Sequence, residues 1–236
     1  MLEIIATTVQ DALIIAEGGG DRIELVSALS EGGLTPSYGL MRQAINAANI
    51  PVNVMIRPHS AGFVYDEADL LCMIEDIKQA RASGANGVVF GMLTADGDID
   101  LPRLERLLEY CDGLEVTFHR AIDDATDILA ATRLVAATPI CRVLSSGGLD
   151  PGRAEEHLAV LHQMQAILSA RGKRLLVGGG VTKENCRTIL QSTGAPELHV
   201  GTAVRHGASA REAISLAAVQ ELVRNLGTAS KRRGMR

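Results

Sequence analysis

The chain has 236 residues, 47% hydrophobic and 3% aromatic with no tryptophan, a mean hydropathy of +0.15 and a formal net charge of −5. That length admits one large domain or two small ones around an aliphatic core, and the acidic balance argues against nucleic acid, which needs a clustered basic face. No apolar run reaches the length of a membrane span, no basic-then-apolar leader precedes the first strand-like run, and Cys72, Cys111, Cys141 and Cys186 form no CxxC or CxxH pair, so a soluble, cytoplasmic chain with reduced thiols is expected.

In chain order, Leu2–Ala6 reads as a strand and Thr8–Glu17 as a helix, closed by Gly18-Gly19-Gly20. Arg22–Val26 is the second strand; its loop holds Glu31 and Gly32-Gly33, and Thr35-Pro36 signals the start of a helix over Pro36–Ala48. Further strands are expected at Val52–Ile56, Gly87–Phe90, Leu114–Phe118, Arg142–Leu144, Arg174–Val177 and Glu197–Val200. Helices fit between and after them at Glu67–Ser83, Pro102–Cys111, Asp127–Ala137, Ala154–Ala170, Lys183–Ser192 and Ala210–Leu226. Leu70, Met73, Ile74 and Ile77 make an apolar stripe at helical spacing, and Thr182 caps a helix with Glu184 in its first turn. The basic run Lys231-Arg232-Arg233-Gly234-Met235-Arg236 reads as a solvated, frayed tail beginning at residue 228.

The repeated phrase of helix, glycine stop and β-branched strand means parallel strands joined by crossover helices. Eight such units predict an α/β fold, a single (β/α)8 TIM barrel over residues 1–227. A doubly wound open sheet is the alternative, without a GxGxxG after its first strand.

In a TIM barrel the chemistry lies at the C-terminal ends of the strands. Alternation groups Arg22 with Glu24, Asn53 with Met55 and Arg57, Glu115 with Thr117 and His119, and Glu197 with His199. These are the inward sets, since the other strand faces must pack on helices. Buried charges need partners, so Glu24 is expected to pair with Arg22 or Arg57 near His119. These ions either form a site, with Glu24 and His119 as acid and base and Arg22, Arg57 and Arg120 as anion clamps, or neutralise one another as a structural network. Ser145, Gly179, Gly180 and Gly201 lie on glycine-rich strand ends suited to an anion, with Thr202 and Arg205 beyond. No Ser-His-Asp triad, Cys-His pair or strand-end lysine is evident. Metal candidates are Met55, His119 and His199, with His59 and Glu3 or Glu24 as further donors.

Several runs together resemble the CutC family: Asp21-Arg22-Ile23-Glu24-Leu25, Leu29-Ser30-Glu31-Gly32-Gly33-Leu34-Thr35-Pro36, Val54-Met55-Ile56-Arg57-Pro58, Val116-Thr117-Phe118-His119-Arg120-Ala121-Ile122-Asp123 and Gly178-Gly179-Gly180-Val181-Thr182. The resemblance implies a cytosolic, oligomeric TIM barrel, a role in copper homeostasis and copper binding, and Arg22, Glu24, Glu31, Arg57, His119 and Arg120 as signature polar residues. Some relatives carry cysteines where Ile5 and Val26 stand here, leaving Met55 and Met92 as the sulfurs near the mouth. The implied partners are a metal ion or small anionic ligand and a second copy of the chain, with helix Ala154–Ala170 as the candidate interface. The alternative reading is an enzyme acting on a small anionic or phosphorylated metabolite.

Overall fold

The computed structural model describes residues 1–149 and 152–233, with the side chains of 228–233 outside that description. Eight parallel strands close on themselves in chain order, and β1 (Leu2–Ala6) pairs with both β2 (Arg22–Leu25) and β8 (Glu197–Val200). Between those two lie β3 (Val52–Met55), β4 (Gly87–Phe90), β5 (Glu115–Phe118), β6 (Arg142–Ser145) and β7 (Arg174–Val177). One helix follows each strand: α1 (Val9–Gly18), α2 (Tyr38–Ala47), α3 (Glu67–Ala82), α4 (Leu101–Leu108), α5 (Ile128–Ala136), α6 (Leu158–Ser169), α7 (Cys186–Thr193) and α8 (Leu216–Arg233). The chain is a single (β/α)8 TIM barrel, as its periodicity predicts.

The main apolar core lies between sheet and helices. Ile4, Ile23, Leu25, Val54, Phe90, Phe118 and Val200 point outward from the strands to meet Ile15, Met41, Leu70, Met73, Leu104, Leu161 and Val219. The stripe of Leu70, Met73, Ile74 and Ile77 is buried in that layer. Helix starts are fixed by local side-chain acceptors: the Thr8 side chain accepts from the Asp11 N–H, and Asp66 and Asp69 cap α3 reciprocally.

Several boundaries shift for stated reasons. Ser37, not Thr35, caps α2, because the Thr35 hydroxyl accepts the Arg57 N–H instead. The stretch Ala154–Ala170 splits into a 3-10 turn at Ala154–Glu156 and then α6. The last helix starts at Leu216 rather than Ala210, because Arg205 and Ile214 form an antiparallel bridge that holds the preceding residues in turns. The Thr182 hydroxyl accepts from Glu184 and Asn185 in the turn before α7. Leu161, Met164 and Leu168 of α6 are buried in the chain's own core, while Leu158, Val160 and Ile167 are only partly buried. The tail expected from residue 228 lies on residues whose side chains are outside the description.

Candidate functional site

The inward residues form two levels. At the closed, N-terminal end of the barrel, Arg22 Nε donates to Glu3 Oε2 at 2.5 Å and its Nη2 to Glu197 Oε2 at 2.5 Å. Arg142 reaches Glu115 at 2.5 Å and Glu197 at 3.2 Å, and Arg174 joins the same two carboxylates at 3.4 and 3.3 Å. Three arginines and three glutamates thus neutralise one another. Arg22 is therefore neither the partner of Glu24 nor an anion clamp. The two share a strand face, but two residues of rise, about 7 Å, put them in different levels.

The upper level holds an imidazole between two carboxylates. The register pairs Glu3 of β1 with His199 of β8, and His199 Nδ1 lies 2.8 Å from Glu3 Oε1. The other ring nitrogen, Nε2, lies 3.7 Å from Glu24 Oε2. Burial alone would raise the Glu3 pKa, but the hydrogen bond from His199 and the charge of Arg22 outweigh it and hold the carboxyl at about 2. Glu24 lacks such donors, and burial pushes its pKa up to about 7. Burial would lower the His199 pKa, yet Glu24 and Glu3 together raise it. Glu24 Oε1 is buried with no hydrogen-bond partner.

His119 ends β5 and caps the 3-10 turn Arg120–Asp124, its Nδ1 accepting the Ala121 N–H at 3.2 Å. Burial, then the positive charge of Arg57, lowers its pKa to about 3. A neutral ring that accepts at Nδ1 carries its proton at Nε2, and that nitrogen is buried without a partner. Phe63 packs edge-on at 5.0 Å between centroids. Gly91 leaves the ring its space: a Cβ there would stand 2.6 Å from His119 Nδ1.

Arg57 does not pair with Glu24 either. Its Nη1 donates to the backbone oxygens of Glu31 at 2.8 Å and Gly33 at 3.2 Å, its guanidinium lies 4.9 Å from the Phe63 centroid, and its Nε has no partner. The Glu31 loop thus holds Arg57 through its carbonyls. Arg120, 40% exposed, donates from Nε to Asp123 at 2.8 Å and from Nη2 to the Ser146 hydroxyl at 2.9 Å. Buried Asp123 also accepts from the Ser145 hydroxyl at 2.5 Å and from the Ser146 N–H and hydroxyl. Ser145 therefore braces Asp123 and does not line the cavity. Asp123 anchors this group; the sequence places it beside His119 and Arg120 in the run that ends at Asp123 but gives it no role of its own.

A cavity of about 430 Å³ opens at the C-terminal mouth, lined by Glu24, Glu31, Arg57, His119, Arg120, His199, Gly179, Gly180 and Gly201, with Ile5, Met55, Phe63 and Leu144 as apolar wall. A second cavity of about 340 Å³ lies between the loops after β7 and β8 and shares Gly179, Gly180, His199, Gly201 and Thr202 with it. Gly179 has φ +88°, and a Cβ there would stand 2.6 Å from the Gly152 carbonyl. Ile5 and Val26 cluster with Met55 and Val89, so aliphatic carbon surrounds the Met55 side chain at both positions. Met55 is the cavity's one sulfur among the described residues; Met92 is buried in the main core, and His59 pairs with Asp69 at 3.3 Å away from the cavity. Ligand atoms of Glu3, Glu24 and His199 lie within 4.8 Å of one another. Glu3, however, already serves Arg22 with one oxygen and His199 with the other.

The model of the CutC family matches residues 1–204. A family protein CutC from Aliivibrio fischeri (strain MJ11) is 44% identical over 185 residues, covering 78% of this chain and 74% of the relative. The copper homeostasis protein cutC homolog of Homo sapiens is 40% identical over 200 residues, 84% of this chain and 72% of the relative. A CutC structure from Streptococcus agalactiae matches with a TM-score of 0.80 at 33% identity, over 86% of this chain and 98% of that one. A phosphoribosylanthranilate isomerase from Thermotoga maritima matches with a TM-score of 0.65 over 96% of this chain and 98% of that one, and at 15% identity shares the fold alone.

Proposed function

The chain belongs to the CutC family, and we propose that it takes part in copper homeostasis, the role in the name of its human relative, through a ligand site at the mouth of its barrel. One observation carries the site: Glu24, His119 and Arg57 each keep a buried polar atom without a partner, and all line one cavity. A cytoplasmic location belongs to the same reading and is supported by the four free cysteines; among the described residues no helix is long and apolar enough to cross a membrane.

Copper itself fits this mouth poorly as a tightly held ligand. Cu(I) favours thiolate and thioether donors, and Met55 is the sulfur available, with imidazoles at His119 and His199. Those donors support a weak, exchangeable contact. The Glu3–Glu24–His199 group suits Cu(I) no better, because its donors are hard oxygens and one imidazole, and a metal there would compete with Arg22 and His199 for Glu3. An anaerobic Cu(I) competition titration, repeated on Met55→Ala, tests this. Binding no tighter than the competitor is expected; tight binding lost in Met55→Ala would overturn the expectation of a weak contact and locate copper at the mouth.

A second reading is supported by the acid–base character of the cavity. Glu24 with a raised pKa, His199 oriented by Glu3, and the flanking Arg57 and Arg120 suit an enzyme acting on a small anionic or phosphorylated metabolite. Arg57→Ala and Glu24→Gln should then abolish ligand binding or turnover while the barrel remains folded.

A further inference from the structure

The three partnerless atoms differ in chemistry. Glu24 Oε1 is an acceptor, His119 Nε2 a neutral N–H donor, and Arg57 Nε a charged N–H donor. Leaving such atoms unpaired in a buried place is costly, and all three belong to residues that line one cavity, where His119 suits an acceptor oxygen and Glu24 a removable proton, while the Arg57 guanidinium also lies against the Tyr65 side chain. The cavity's described lining has no lysine, cysteine or serine, so a Schiff base, thiol or serine nucleophile is unavailable there. The buried carboxyl of Glu24 and the imidazole of His119 suit acid–base chemistry.

Resting on the enzyme reading above, we propose that this mouth enolises a small anionic oxo compound, with Glu24 as the base at the carbon beside the carbonyl and His119 as the donor to the carbonyl oxygen. The Glu24 carboxylate takes the proton. The C–H electron pair becomes the C=C bond of the enolate, and the carbonyl π pair moves onto oxygen, where the His119 N–H meets it. Returning the Glu24 proton to carbon closes the cycle without oxidant, reductant or co-reactant. A neutral imidazole suits this task, because its N–H stabilises oxygen charge that is present only after the proton has left. Arg120, held by Asp123 and Ser146 at the rim, receives the anionic group.

The test is proton NMR in deuterium oxide with dihydroxyacetone phosphate, pyruvate and 2-oxoglutarate, with saturation-transfer difference spectra reporting binding. The expected result is protein-dependent loss of the signal beside the carbonyl in at least one of them. Glu24→Gln and His119→Ala should each slow that exchange by about 100-fold or more, with unchanged circular dichroism. Exchange that persists at the wild-type rate in Glu24→Gln overturns the proposal. Binding without exchange also overturns it but leaves the enzyme-like ligand site standing, whereas neither binding nor exchange removes both.

Discussion

Glu3 and Glu24 face the two nitrogens of one imidazole, His199, with Nδ1 at 2.8 Å and Nε2 at 3.7 Å, yet their pKa values move in opposite directions. Glu3 has Arg22 behind it; Glu24 has an empty acceptor and the cavity. One buried cluster thereby keeps a fixed anion and a proton-exchanging carboxyl side by side.

The raised Glu24 pKa predicts a pH-dependent cost. Its folded value of about 7 lies above the ordinary 4.5, so the folded state holds the proton more tightly. Its contribution is full below pH 4.5 and is lost as pH rises through 7. Glu24→Gln should melt higher than wild type at pH 8 and gain nothing at pH 4.5, a difference of up to about 3 kcal/mol. Melting curves of both proteins at the two pH values check it.

His119 has the opposite sign. Its folded pKa of about 3 lies below the ordinary 6.5, so the unfolded chain takes up the proton first. Stability from the neutral ring is complete above pH 6.5 and falls as pH drops toward 3. Nitrogen-15 NMR at pH 5 should find His119 uncharged with its proton on Nε2; a charged ring would reject the assignment.

Arg22→Ala should destabilise the barrel by about 3–5 kcal/mol, because Glu3 and Glu197 lose a buried partner. Urea unfolding measures this. Glu3→Gln with Arg22 intact should lower the melting temperature at pH 7, and the deficit should close as pH drops, since Glu3 stability is present above 4.5 and lost as pH falls through about 2.

Gly91→Ala should displace His119, because the added methyl falls 2.6 Å from its Nδ1 and 2.9 Å from Phe118. A loss of about 1–3 kcal/mol is expected, with weaker ligand binding than in Gly39→Ala, where nothing lies within 4 Å.

Ile5→Cys with Val26→Cys should create strong Cu(I) binding, since both positions sit in one cluster with Met55. A titration in which the double variant binds no more tightly than wild type would contradict the role assigned to these two positions.

Much of this protein is legible in its local pattern. The alternation of β-branched strands with glycine-stopped helices specifies a (β/α)8 barrel, and the period of two selects Glu24, Met55, Arg57, His119 and His199 as inward residues, all of which line the mouth. Tertiary structure alone decides which charges meet. His199 finds Glu3 across 196 residues because closing the barrel puts β8 beside β1, and that closure brings Glu3 and Glu197 around Arg22 at the closed end while Glu24, two residues further along the same strand, stays at the open one. Arg57 turns to the Glu31 and Gly33 carbonyls, and Ser145 to Asp123, because loop backbone and a buried carboxylate lie nearer than the expected partners. Face and order along a strand are local properties; partnership is set by closure, which no single segment encodes.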